Sequence, residues 1–506
     1  MTRLLQFFSV AALTQIILML SQLILLPIQI RLWGHGATAA WYSALAIAMI
    51  TTVVDCGLRA AGHAEIVRLV NQRTDDWAAR DYFQQVWGWI RVLMLVVSLA
   101  LIAGDAVFSV VFKGMPYPAW KAALILAYAI ETLLIIRIMY LDSLGFYRGA
   151  EVSYLIFAAL RLSLAIPALL FLRVGANGLA WLFLVTSAFA LALQGRLLCR
   201  RIGALGIWSA FPRRLSIRVL AIARHTLAEP CANWVRLSLP VLVIATIAAP
   251  AAVTTYVALR AAFGAGRTTI QQLARVASVE YLHFREEGRV EAAESLLSLF
   301  VLVAGCFGVL VGGLIVVDNM RILGLWLARF DRPTFQAILV AFAPSAAFYA
   351  YQIILNLMFR IGELAWIARR HYVYVLYSGL FAAFAATTKW FSIYLVMLAV
   401  SEILLSTTFL LGSSKVAAFR TQAGRRGFVV ASAGAAVILV LWSAARWNLG
   451  HIFSGSSLES GASSLLVLLL TLGGFAVFNY LMNAKLFQAA PFVLRRPAEV
   501  FPQEIW

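Results

Sequence analysis

The stretch from Leu4 to Ile30 reads LLQFFSVAALTQIILMLSQLILLPIQI, 27 residues without one charged side chain. A hydrocarbon layer of about 30 Å is crossed by about 20 apolar residues in a helix. The run exceeds the apolar core of a secretory signal, about 7–15 residues, and no small-residue cleavage site follows it. It therefore reads as a first membrane span. Runs of the same kind recur along the chain, which has 506 residues, 63% of them hydrophobic and 12% charged. Soluble domains are nearer half apolar and a quarter charged. So few charges cannot cover soluble domains, and the expected fold is an all-α membrane protein with no sizeable soluble part.

Hydrophobic patterning places about fourteen spans, at about 5–30, 38–60, 86–111, 120–141, 151–172, 176–197, 226–249, 251–272, 295–317, 335–358, 372–389, 391–412, 428–445 and 463–484. Between spans seven and eight the break falls at Ala249-Pro250-Ala251, because proline cannot donate to a continuing helix. Cytoplasmic loops of membrane proteins are enriched in Lys and Arg. With both termini in the cytoplasm, the inward segments collect Arg68, Arg73 and Arg80, the group from Arg196 to Arg224, Arg275, Arg285 and Arg289, Arg369 and Arg370, and Lys415 to Arg426, outnumbering the outward cations more than two to one. A missed span would invert the downstream half and spoil this bias. The stretches 63–85 and 275–294 mix charge with Trp77, Tyr82, Tyr281 and Phe284 and read as short amphipathic helices on the membrane surface.

The net charge of +19 raises the question of nucleic acid. The cations lie between and inside apolar runs rather than in one soluble patch, so no nucleic-acid partner is expected. Cys56, Cys199, Cys231 and Cys306 form no CxxC pair and have no accompanying His cluster. No disulfide framework, metal site or cofactor is expected.

The basic loop 196–224 divides the chain, with six spans before it. Pro27 followed by Tyr42-x-Ala44-Leu45-x-x-Ala48 is echoed by Pro240 followed by Tyr256-x-Ala258-Leu259-x-x-Ala262. The implied layout is an N-lobe over 1–200, a basic linker over 201–224, a C-lobe over 225–426, a further helix pair over 427–485 and a cytoplasmic tail over 486–506. Repeated bundles of this kind place a substrate site between their halves.

Seven arginines fall inside spans: Arg59, Arg91, Arg137, Arg161, Arg236, Arg260 and Arg267. Each costs about 2.5–3.5 kcal/mol at a helix centre, and together they approach about 20 kcal/mol if all face lipid. Arg59, Arg91 and Arg267 lie near cytoplasmic ends and can snorkel. Arg161, Arg236 and Arg260 are near mid-span and need a wet interior or a buried partner. Helical spacing favours a wet interior, because polar residues recur on single faces. These stripes are Glu229, Asn233 and Arg236; Tyr256, Arg260, Arg267 and Gln271; Ser345, Tyr349, Gln352, Asn356 and Arg360; Gln15, Gln22 and Gln29; and Thr51, Asp55 and Arg59. Helix-to-helix hydrogen bonding uses the same residue types and is the structural alternative. Asp55, Glu131 and Glu229 are the intramembrane carboxylates. Asp55 is expected to bridge Arg59 at i+4, and Glu131 to meet an arginine or carry a coupling ion. An interior with excess guanidinium expects an anion, and the planar Arg fork suits phosphate. A lipid phosphate or diphosphate is favoured, since its tail would stay in the bilayer.

Val53-Val54-Asp55-Cys56-Gly57-Leu58-Arg59 resembles the Asp-x-Gly-Leu signature after the second helix of polysaccharide exporters, and Leu239-Pro240 through Arg260 resembles the start of their second half. Cys56 stands where that family usually has an aliphatic residue. The family belongs to the multidrug, oligosaccharidyl-lipid and polysaccharide exporter superfamily. The resemblance implies two six-helix lobes in a V plus a C-terminal pair, with spans one, two, seven and eight around a central cavity. It implies a flippase for a polyprenyl-diphosphate-linked oligosaccharide, a surface-polysaccharide precursor, in a bacterial inner membrane, working beside other polysaccharide-assembly membrane proteins. Arg236, Arg260 and Arg161 would bind the diphosphate, with Arg137 and Arg267 as secondary contacts, Asn233 and Gln352 as polar neighbours, and Tyr256 and Tyr349 stacking on sugars. Two other functions stay open. A cation-coupled multidrug antiporter usually has twelve spans and takes cationic cargo. A membrane glycosyltransferase or polymerase would need acidic residues at a membrane face and a large outward loop.

Overall fold

In the computed structural model the chain is described over residues 2–55, 76–112, 117–143, 147–202, 217–317, 351–360 and 363–411, with isolated residues around 57–66 and 334–349. Spans thirteen and fourteen lie outside the described residues. Regular structure among the described residues is helical throughout. Seven helical stretches among the described residues are long and apolar enough to cross a membrane.

The first helix, α1 (Thr2–Ala48), covers spans one and two and is interrupted at Gly34, whose φ of 76° and ψ of 174° are non-helical. Residues with a Cβ rarely reach that region. A 3₁₀ turn follows at Met49–Thr52. Next come α2 (Asp76–Val107), ending in a π-helical turn at Phe108–Phe112, then α3 (Ala119–Ser143), α4 (Tyr147–Leu170) and α5 (Ala176–Ile202). Span seven is assembled from α6 (Ile217–Thr226), α7 (Ala228–Leu237) and α8 (Leu239–Ile247). Its joints, Leu227 and Ser238, sit just ahead of Pro230 and Pro240, which cannot donate to the carbonyls four residues back. Ala248 is extended (φ −136°, ψ 170°), and α9 (Pro250–Glu286) starts on the proline, where the expected break falls. The remaining helices are α10 (Val290–Val317), α11 (Tyr351–Arg360), α12 (Leu364–Thr388) and α13 (Phe391–Leu411).

Three expectations are corrected. The helix of span two does not run to residue 60: it tightens at Met49–Thr52 and turns, with Gly57 at φ 75°. Thr51 and Asp55 therefore do not share an α-helical face; Arg59 lies outside the described residues. The stretch 275–286 is no separate surface helix but the end of α9, with Tyr281 and Phe284 buried. At 37 residues α9 is about 55 Å long, well beyond the bilayer core. A left-handed Gly288 closes it, the Gly288 and Arg289 amides donating to the carbonyls of Arg285 (3.1 Å) and Phe284 (2.9 Å). In α1, Gln29 is buried and Gln22 exposed, so the seven-residue repeat does not give one polar surface; the side chain of Gln15 is not among those described.

The chain forms two compact units, one of Thr2–Val257 with His371–Lys389, the other of Ala258–Arg370 with the stretch from Trp390 onward. The division falls inside α9 and α12. In the first unit Val54, Leu58, Ala61, Val86, Trp87, Ile90, Met94, Ile136 and Ala223 form one apolar cluster. Trp41 stacks on Trp120 (5.9 Å) and meets Phe183 edge-on (5.7 Å). Tyr372, near the start of α12, donates its hydroxyl to the Arg224 carbonyl at 2.6 Å. In the second unit Tyr351 and Trp366 close on Phe409, at 6.0 and 5.5 Å. Large apolar side chains stay exposed on the outside, among them Leu95, Val96 and Leu99 of α2 and Leu376 and Leu380 of α12. In water each would forfeit about 25 cal/mol per Å²; against lipid tails the same surface costs nothing of that kind.

Candidate functional site

The stripe on span seven forms as the spacing expects. Glu229, Asn233 and Arg236 all lie on α7, and each is partly buried. Tyr256, Arg260, Arg267 and Gln271 lie on the unbroken α9, with Tyr256 buried and the other three partly exposed. Gln271 Nε2 donates to Gln352 Oε1 at 3.1 Å, which joins this stripe to α11 inside the second unit. On α11 Asn356 Nδ2 donates back to the Gln352 carbonyl at 2.9 Å. Tyr349 precedes the helix, in a turn where the Gln352 amide donates to its carbonyl (3.0 Å), and its hydroxyl donates to the Phe263 carbonyl at 2.6 Å. Ser345 lies outside the described residues, and the side chain of Arg360 is not among those described. Tyr256 and Tyr349 are each 3% exposed, so in this conformation neither ring offers a face for stacking.

Arg161 is held: its Nη1 donates to Glu131 Oε2 at 2.5 Å, and its guanidinium carbon lies 3.7 Å from the Phe183 ring centroid, 5.4 Å from Tyr128 and 5.7 Å from Phe157. Its Nη2 is buried with no hydrogen-bond acceptor and lies within this aromatic surround. Glu131 comes from α3, Arg161 and Phe157 from α4 and Phe183 from α5, so one charged pair ties three helices together. Arg137 is also held: it is 4% exposed, donates from Nη1 to the Leu191 carbonyl at 2.8 Å and lies 4.8 Å over Trp87. Arg91 approaches the same indole at 6.0 Å. Arg236, Arg260 and Arg267 remain half-buried on the polar faces of α7 and α9. Arg236 belongs to the first unit; Arg260 and Arg267 belong to the second.

Asp55 is buried, and its Oδ1 accepts from the Gly57 amide at 3.1 Å, a local Asx turn. Sequence reasoning missed the contact this turn makes. The Thr226 hydroxyl of α6 donates to the Gly57 carbonyl at 2.9 Å, and a Cβ on Gly57 would lie 2.2 Å from the Ala223 carbonyl. The signal was present in the Asp-x-Gly spacing, which pairs an Asx acceptor with a residue free to take positive φ.

No family model matches the chain, and no curated relative matches it. Solved structures do. The lipid II flippase MurJ in an inward closed conformation aligns with a TM-score of 0.64 at 13% identity, covering 94% of this chain and 98% of its own. This chain shares that fold. An inward-facing multidrug resistance transporter of the MATE family aligns at 0.58 and 14% identity, covering 82% of this chain and 96% of its own. A point mutant of the MATE transporter VcmN of Vibrio cholerae aligns at 0.52 and 13%, covering 83% and 97%. At these identities the exporter likeness is one of architecture: an all-helical, multi-span membrane protein shared with transporters and a flippase.

Proposed function

We propose that this protein is a flippase that carries a polyprenyl-diphosphate-linked oligosaccharide, a precursor of a surface polysaccharide such as O-antigen or exopolysaccharide, from the inner to the outer leaflet of a bacterial cytoplasmic membrane. Arg236 and Arg260 bind the diphosphate, with Arg267 and Asn233 beside them, in a wet chamber that opens alternately to each side. The sugar head crosses through that chamber while the polyprenyl tail stays in lipid. The observation that carries this reading is the pair of cationic stripes on α7 and α9, each half-buried along its helix rather than turned wholly to lipid. Guanidinium forks at that depth suit phosphate oxygens. Arg161 pairs with Glu131 and Arg137 with the Leu191 carbonyl, and to reach a diphosphate each would release that bond. The direct bond from Arg161 supports a structural role for Glu131. Tyr256, Tyr349 and Gln352 reach sugar only if the helices over them part.

The second reading is a cation-coupled drug antiporter, favoured by the several MATE transporters of similar fold. Two observations support the flippase over it. These two MATE structures leave about a fifth of this chain uncovered, while MurJ covers 94%, the difference an added helix pair makes. Half-buried arginines also repel cationic drugs. The deciding experiment reconstitutes the protein in vesicles with a fluorescent polyprenyl-diphosphate oligosaccharide in one arm and a cationic dye with an imposed proton or sodium gradient in the other. Transfer of the lipid-linked sugar alone is the expected result. Dye exchange without lipid transfer would make it an antiporter.

A further inference from the structure

Span seven opens the second half of the chain, yet its contacts run to the first. At the inner end α6 meets the turn after span two, with the Thr226 hydroxyl donating to the Gly57 carbonyl at 2.9 Å and no room for a Cβ between them. Ala223 of α6 belongs to the apolar cluster of Val54, Leu58 and Trp87, and Ile222 packs against it. In the middle, Trp234 Nε1 of α7 donates to the Ala46 carbonyl at 3.0 Å, just ahead of the point where α1 tightens into its 3₁₀ turn. Ser238, at the joint between α7 and α8, places its hydroxyl 3.6 Å from Met49 Sδ. Past the outer end of span seven, His35 Nδ1 lies 2.8 Å from Thr254 Oγ1 on the first turns of α9, in span eight, so this contact flanks the seam and is not part of it.

The seam contacts lie within one compact unit. Gly57, Thr226 and Ser238 are buried. Parting the seam inside a membrane would take the Trp234 indole N–H from its Ala46 acceptor and separate the buried apolar cluster from Ala223. We infer that span seven moves as part of the first-half bundle, and that the seam between spans two and seven stays closed through the whole transport cycle. Chain order alone would assign it to the other lobe.

The transport arm of the test rests on the flippase reading; a distance arm does not. Two pairs are built in a chain whose four native cysteines are replaced by alanine: Met49→Cys with Ser238→Cys, and Ala46→Cys with Trp234→Cys. A short bis-methanethiosulfonate spacer, long enough to make up for the side-chain length lost on changing Met49 and Trp234 to cysteine, is expected to join both pairs, and lipid-diphosphate transfer is expected to stay within about twofold of the reduced protein. A drop of about tenfold or more that reductant reverses, or failure of both pairs to cross-link, would overturn the inference. Trp234→Phe in the native chain is expected to lower the melting temperature and leave the transfer rate unchanged; a changed rate means that this bond opens in the cycle. Should the native protein move no lipid diphosphate, the flippase reading fails by itself. Spin labels at positions 49 and 238 then judge the seam, with one distance population in every condition supporting it and two overturning it.

Discussion

At Gly57 two constraints meet in one residue. Its φ of 75° favours glycine, and its Cα lies against the backbone of α6 with no space for a methyl group. Gly57→Ala is therefore expected to cost at least the roughly 1–3 kcal/mol typical of a strained backbone site, and more for the collision. Thermal melting in detergent measures it, and an unchanged melting temperature would show that the turn relaxes freely. The Arg161–Glu131 pair makes a second residue-scale prediction. Breaking a buried pair by removing one partner typically costs about 3–5 kcal/mol, and these side chains are 11% and 13% exposed. Glu131→Gln should destabilise by that amount, and the exchange Glu131→Arg with Arg161→Glu should recover part of it. Equal stability of the single variant and the native protein would return Glu131 to the list of coupling residues. That Glu131 meets an arginine was legible, because a carboxylate at bilayer depth needs a cation. Which arginine was not, because the choice depends on how α3, α4 and α5 are rotated about their axes.

Among the helices, apolar run length placed the spans well and their ends poorly. The Ala249-Pro250 break was readable because proline acts locally on its own helix. The end of span two was not, since apolar content continues past Thr52 while the backbone has already left the α-helix. Span eight was drawn too short for the opposite reason: charge density rises after Gln271, but the helix continues on contacts that bury Ala274, Ser278 and Tyr281. The polar stripe on α9 has a structural use too. Gln271 and Gln352 are expected to couple by about 1 kcal/mol in a double-mutant cycle of alanine substitutions read by thermal melting. Additive effects would mean that the two amides do not depend on each other.

The whole molecule carries a sign of internal repetition beyond the sequence echo. The chain turns tightly after span five and after span eleven, and each turn holds a cationic residue in the left-handed region, Arg173 (φ 48°) and Lys389 (φ 58°). Their separation, 389 − 173 = 216 residues, is within two of the 256 − 42 = 214 that separates Tyr42 from Tyr256. A six-plus-six duplication with an added pair entails such an offset. It would place Arg236 and Arg260 on the two spans that correspond to the first pair of the chain, where the exporter resemblance expects the cavity lining. The proposed substrate is a matter for this scale, because the proposal asks guanidinium groups on separate helices for convergence on one diphosphate. Transfer of a polyprenyl-diphosphate oligosaccharide by vesicles carrying Arg236→Ala or Arg260→Ala tests that convergence most directly. The account predicts a loss of about tenfold or more in each variant, about what one charge-assisted hydrogen bond is worth, with normal insertion and folding. Native transfer rates in both variants would contradict it.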